Sequence, residues 1–262
     1  MIDHPTLRGL LMHGERFPPR RTWERRLATR PDTLPAPIAA LGHQLVVLIQ
    51  PWASGGRAVA VDSTVLRAKG GVWHQKDRER GLVPHTAIDT EADWSTSGWH
   101  GWVYGWKVPL VTSGAAVWTP LAAELTPANR ADSELAPRLV ADLPAEARFV
   151  RGDRHYNAPD VRTACEQTQR ILVAAQYGRY PHSDDGVEVR RLFHKLRSVS
   201  IENFNGQFKG IFDGQGQVAT KGLTNRRRFA RGAVFVYQLT LWYRYEHDRD
   251  LRVGLEPFLK AA

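Results

Sequence analysis

The chain reads as an α/β protein, a mixed sheet flanked by helices. Three observations carry that reading. Strand, hairpin, helix, strand, helix, strand and helix patterns follow one another along the sequence, the order of an α/β sandwich. Two short apolar runs end on an aspartate, as buried strands do when they open onto a site. The 262 residues, 42% apolar and 24% charged, have the composition of a globular protein long enough to bury a large core.

Taken in order, residues 1–56 form a short helical amino-terminal region. Trp23 and Leu27 stand four apart among arginines, Pro35 and Pro37 interrupt, and Leu41, Leu45 and Leu48 form one stripe over 38–49. Such arginine-rich helices suit contact with DNA. The run 58–62 is a buried strand with Asp62 at its exit. The polar, glycine-rich stretch 67–101 is too long for an ordinary loop and predicts partial order or an irregular insertion lying over the site. Residues 102–112 and 115–125 predict two strands joined at Ser113-Gly114. A helix over 132–143 is expected to break after Ala136, because Pro137 follows. Then come a strand at 148–150 running into Gly152-Asp153, a helix over 159–168, a strand at 171–175 and one long helix over 187–212.

Charge narrows the partners. Thirty-six basic residues against 27 acidic ones give a net charge of +9 and a sequence pI near 10.0. That excess favours a polyanion, because each neutralised phosphate releases counterions. Much of it is arginine, whose planar fork matches phosphate, as in Arg226-Arg227-Arg228. The single cysteine, Cys165, excludes an internal disulfide and a thiolate zinc site. No apolar run approaches the ~20 residues of a membrane span, and no leader pattern opens the chain. The expectation is a soluble intracellular protein without a membrane partner.

Candidate chemistry comes from Asp62, Asp153 and Glu202, which fall on three different elements. Both aspartates lie where ligand sites form in open α/β sheets. A glutamate on a helix packed across that edge completes an oxygen-only set, which suits magnesium or manganese rather than zinc. Ser198, Glu202, Asn205 and Lys209 share one helix face, so a metal ligand and a phosphate-binding cation can meet one substrate.

Four segments carry a family resemblance. Val59-Ala60-Val61-Asp62-Ser63-Thr64, Val103-Tyr104-Gly105-Trp106-Lys107-Val108, Val150-Arg151-Gly152-Asp153-Arg154-His155-Tyr156 and Ile201-Glu202-Asn203-Phe204-Asn205-Gly206-Gln207-Phe208-Lys209 resemble the ordered motifs of bacterial insertion-sequence DDE transposases. The resemblance spans about residues 57–245. It implies a ribonuclease H-like catalytic domain over 57–262, with Asp62, Asp153 and Glu202 as catalytic, metal-binding residues. It also implies two Mg²⁺ or Mn²⁺ ions and strand cleavage and transfer at insertion-sequence ends. Lys209 matches the lysine that follows the glutamate. Arg197 lies five residues before Glu202, whereas the family's arginine precedes it by four, a place held here by Ser198. Lys107, Arg154, Arg226, Arg227 and Arg228 complete the expected DNA-binding set. The implied partner is double-stranded DNA, both element ends and target, bound by a homodimer in the cytoplasm at the nucleoid. Two alternatives stay open: a regulatory remnant that binds DNA without transposing, and a stand-alone ribonuclease H-like nuclease.

Five of nine tryptophans lie between Trp73 and Trp106. Alternation puts Trp102, Tyr104 and Trp106 on one strand face, which predicts that Trp102 and Trp106 pack the hairpin onto the sheet. Trp73, Trp94 and Trp99 are then the candidates for stacking on DNA bases.

Overall fold

A computed structural model describes residues 21, 25, 33–49, 57–97, 101–114, 117–174, 201–213, 220–252 and 254–255. Helix α1 (Pro35–Ile49) precedes β1 (Ala58–Arg67), a short α2 (Gln75–Glu79), β2 (Asp93–Ser97) and β3 (Gly101–Ser113). Then follow β4 (Pro120–Ala123), β5 (Thr126–Pro127), α3 (Asp132–Ala141) and β6 (Phe149–Gly152). Helix α4 (Pro159–Gln167), β7 (Ile171–Ala174), α5 (Asn203–Phe208) and α6 (Leu223–Glu246) complete the order.

The seven strands form one sheet in the order β2-β3-β1-β6-β7, with β4 and β5 also pairing with β3. β3 runs antiparallel to β1 and β2, whereas β1, β6 and β7 are parallel. Side-chain alternation divides β1 between two cores. Ala60 and Leu66 face α1, α5 and α6, packing with Leu45, Phe204, Phe208 and Tyr237. Val59 and Val61 face α3 and α4, packing with Val140, Val150, Val161 and Cys165. The result is a helix–sheet–helix sandwich, each layer closed by an apolar face of the next. α1 lies within the first of these cores, so this part of the 1–56 region shares the core of the sheet.

Several expectations are corrected. β1 continues past Asp62 through Ser63 and Thr64, because β3 pairs with it as far as Arg67↔Gly105. As far as Ser97, the 67–101 stretch is partly ordered, with turns and irregular segments between two short elements. It contains α2 and the edge strand β2, whose Trp94 pairs with Tyr104. α3 runs through Pro137 to Ala141. A mid-helix proline costs about 3 kcal/mol, but buried Ala136, Leu139 and Val140 hold the helix on both sides of it.

The 24-residue α6 escaped the sequence reading. Its buried side includes Arg226, Arg231, Gln238 and Arg244, so no apolar stripe marks it. Gln238 Nε2 donates to the Ile38 and Pro120 carbonyls at 2.7 and 2.8 Å, tying α6 to α1 and β4. Its N-terminus begins after Gly222, whose φ of 82° suits glycine. Asp89 accepts from Gly222 N–H at 3.1 Å and Glu91 from Leu223 N–H at 3.0 Å, placing negative charge where the helix dipole favours it.

Of the proposed 187–212 helix, only 201 onward lies within the described residues, as helical turns around α5. The proposed helix over 22–28 lies outside them, Arg25 apart.

Candidate active site

Asp62 sits in the middle of the central strand, on the face that carries α5. The register Val59↔Val150 and Ala60↔Arg151, carried two residues further, aligns Asp62 with Asp153 at the end of β6. Adjacent strands lie about 4.8 Å apart, so the two carboxylates belong to neighbouring, level positions.

A turn fixes Asp153. It caps the single 3₁₀ turn Arg154–Tyr156, with Oδ1 accepting from His155 N–H at 2.8 Å. Its Oδ2 lies 3.0 Å from His155 Nδ1. Gly152 makes this geometry possible: a Cβ there would sit 2.7 Å from Tyr156 Cβ. Tyr156 thus packs directly beneath the end of β6. Burial, together with the negative charges of Asp132, Asp62 and Asp153, pushes the Tyr156 hydroxyl well above the ordinary tyrosine range. One buried ring therefore senses three carboxylates at once.

The third, Asp132, begins α3. It accepts from Ser63 Oγ at 2.7 Å and pairs with Lys107 Nζ at 3.2 Å. No local pattern links Ser63 with a residue 69 positions later; only the fold brings them together.

Glu202 is exposed and immediately precedes α5, whose Phe204 and Phe208 are buried against the sheet face that Asp62 shares. Asn205, one turn on, donates from Nδ2 to Asp62 Oδ2 at 3.4 Å. Glu202 therefore stands on the same side of the sheet as Asp62, on a helix that touches it. Even so, no three acidic, histidine or cysteine side chains among the described residues are arranged to hold a metal ion.

The expected DNA-binding residues divide. Arg154 is exposed beside Asp153, and Lys209 is half-buried one turn beyond Asn205. Arg228 is half-buried with Asn225 within 3.2 Å, and Arg227 lies 3.7 Å from Glu124. Two expectations need correction. Arg226 is 0% exposed, its guanidinium facing buried Asp89, so it is part of the core rather than a phosphate contact. Lys107 is 9% exposed, with Nζ on the Arg130 carbonyl at 2.9 Å as well as on Asp132, so it is spent on the α3 start. Arg197 and Trp99 lie outside the described residues.

The tryptophans are also redistributed. Trp106 is buried as expected, but Trp102 is 73% exposed. It lies at the end of β3 next to the sheet edge, where no helix among the described residues covers it. Trp73 and Trp94 are half-buried.

Acidic residues in the middle of β1 and just past the end of the parallel strand β6, on a sheet with β3 antiparallel beside β1, fit a ribonuclease H-like α/β protein. The transposase DDE domain family model matches residues 53–215, well over half of the chain, and the chain belongs to that family. No curated protein matches it. No helix among the described residues is long and apolar enough to cross a membrane.

Enzymes of this family typically work with divalent metal ions. The donor set fits such an ion in kind, because Asp62, Asp153 and Glu202 offer only hard oxygens. Asp62 and Asp153 also fit in placement, one level on neighbouring strands. Glu202 fits in sidedness, while His155 Nδ1 lies 3.0 Å from Asp153 Oδ2.

Proposed function

We propose that this protein is an insertion-sequence transposase that hydrolyses phosphodiesters at element ends and joins the freed 3′ end to target DNA. The observation that carries the reading is the β1–β6 register, which sets Asp62 and Asp153 at neighbouring positions when extended two residues, with the Glu202 helix tied to Asp62 through Asn205. Asp62, Asp153 and Glu202 would hold two Mg²⁺ or Mn²⁺ ions. Bound there, the ions supply Lewis-acid stabilisation of charge on the attacking and leaving oxygens.

The chain's own residues do the positioning. Asn205 orients one Asp62 oxygen, and the backbone of His155 fixes one oxygen of Asp153. Tyr156 fills the space beneath and keeps water out from that side. Glu202, exposed on a short helix, closes on the aspartates when DNA and cations bind. Lys209 and Arg154 hold the DNA backbone on either side, with Arg197, Arg227, Arg228 and the amino-terminal arginines extending the contact. Such contacts position the duplex and make binding salt-dependent. Two copies act together on paired ends, in the cytoplasm at the nucleoid.

Asp62→Asn, Asp153→Asn and Glu202→Gln should each abolish Mg²⁺-dependent cleavage of end-containing DNA while leaving binding in EDTA near normal. They remove charge needed only during chemistry. Near-normal cleavage by any variant removes that residue from the triad. The contact of His155 with Asp153, and the open position of Glu202, favour one second reading, a DNA-binding remnant. Wild-type protein that binds ends but never cuts them would establish it. Cutting without joining would instead indicate a stand-alone nuclease.

A further inference from the structure

Trp102 is a large apolar ring left 73% exposed on the sheet face that also carries Asp62. In the β1–β3 register Asp62 opposes Leu110, and Trp102, Tyr104, Trp106 and Val108 share the parity of Leu110. The ring is not loose. Trp94 meets it edge-on, with centroids 6.4 Å apart and planes at 80°, and Trp94 in turn packs on Tyr104 at 5.4 Å.

Trp94 is itself clamped. Its Nε1 donates to the Trp73 carbonyl at 3.2 Å, and Trp73 Nε1 donates to the Leu82 carbonyl at 2.7 Å. The Arg78 guanidinium lies 5.3 Å over the Trp73 ring and pairs with Asp93 at 2.6 Å. Trp73, Arg78, Asp93 and Trp94 thus form a connected mount behind one exposed indole.

A cleft of about 450 Å³ borders this mount. Trp94, Trp102, Lys107, Arg130, Asp132 and His155 are among the residues that line it, and His155 touches Asp153. The cleft therefore runs from the indole to the edge of the carboxylate site. Its size suits a nucleotide.

We infer that Trp102 is a stacking platform for an unpaired nucleobase of the DNA whose phosphate occupies the carboxylate site. The inference rests on the reading of the protein as acting on DNA. An aromatic face accepts any base, since every base has a π-face, and a pre-mounted ring gives up little freedom on stacking. Net positive charge draws the strand in, and Arg130 and His155 along the cleft add donors for its backbone. A protein partner seeking an apolar anchor is the competing occupant.

Fluorescence anisotropy tests this without chemistry, in EDTA, with the full chain and a labelled single-stranded dT oligonucleotide of 12 nucleotides as probe. Wild-type protein should bind it with quenching of tryptophan emission. Trp102→Ala should weaken single-strand binding on the order of tenfold, Trp102→Phe should restore most of it, and duplex binding should change little. The melting temperature should not fall, because the ring is mostly in water.

Single-strand affinity equal to wild type in Trp102→Ala, equal losses for single strands and duplex, or no wild-type binding to single strands would each overturn the inference. So would a change in sedimentation from dimer to monomer with DNA binding intact, which would assign the ring to a protein interface. Cleavage by wild type with Trp102 silent leaves the transposase reading standing alone. Trp102-dependent stacking without cleavage leaves the platform and removes the transposase.

Discussion

Gly152→Ala offers the sharpest test of how the fold builds its site. The added Cβ would lie 2.7 Å from Tyr156 Cβ and 2.8 Å from Cγ, against 3.4–4 Å for ordinary contact. At least ~0.7 Å of movement is required, and Tyr156, 1% exposed, has nowhere to retreat. Overpacking of this kind costs about 1–3 kcal/mol. Unfolding entropy of ~2.1 cal/mol/K per residue over 262 residues is about 0.55 kcal/mol/K, so Tm should fall by about 2–5 °C. Because Asp153 is the next residue and caps the same turn, the strain reaches its carboxylate. A 1 Å displacement costs about 10²-fold in rate, so Mg²⁺-dependent cleavage should fall by roughly 10- to 100-fold. Thermal unfolding by circular dichroism and end-cleavage assays on the same preparation measure both. Gly232→Ala is the control: nothing lies within 4 Å of its Cβ, and alanine should stabilise α6 by about 0.5–1 kcal/mol. An unchanged Tm together with unchanged cleavage in Gly152→Ala would refute the claim that Tyr156 braces the end of β6.

Gln238→Ala strips the donors from two carbonyls, Ile38 and Pro120, and should cost about 2–4 kcal/mol, a Tm loss of about 4–7 °C. A loss below ~1 °C would mean the α1–α6 contact is held by packing alone. Burial pushes the Tyr104 hydroxyl up to about 12; Asp89 and Asp93 add to this while Arg78 opposes it. The unfolded chain releases this proton near pH 10, so the contribution is complete below pH 10 and is lost as pH rises towards 12. Urea unfolding at pH 9, 10 and 11 should show stability falling with pH, and falling less steeply in Tyr104→Phe. Identical slopes for the two proteins would refute it.

Much of the fold can be read from local pattern. The strand at Ala60, the strand from Trp102, the strand into Gly152-Asp153 and the helix after Pro159 all carry apolar periodicity or turn residues and are found, although the first runs on to Arg67 and the strand expected over 115–125 is only Pro120–Ala123. What escaped is what depends on distant partners. β2 is five residues, Asp93–Ser97, polar enough to pass for loop until Tyr104 and Trp102 pair with it. α6 hides because its buried face is written in Arg226, Arg231 and Gln238, each answered by an acceptor more than a hundred residues away. For the same reason an arginine triplet that looks like a DNA patch divides into one core residue and two half-buried ones. Strand parity correctly grouped Trp102 with Trp106, yet parity says nothing of where the covering layer stops. The carboxylates were legible as positions, since an apolar run ending on an aspartate and a polar face spaced along a helix are local patterns. Their surroundings, Ser63 with Asp132 and Asn205 with Asp62, were not.

Strand β3 also acts as a ruler. Trp102 and Leu110, the latter opposite Asp62, are eight positions apart on one continuous strand, at most ~27 Å at about 3.4 Å per residue. That length matches about eight base-pair steps of DNA, at 3.4 Å each. Because both ends are built into the same hydrogen-bonded strand, no hinge lies between them to absorb an error. A DNA end lengthened or shortened by one base pair between cut and unpaired base would therefore be out of step by a full rise. On the proposed function, the protein would measure the DNA it acts on, and point insertions in the element end should matter more than substitutions.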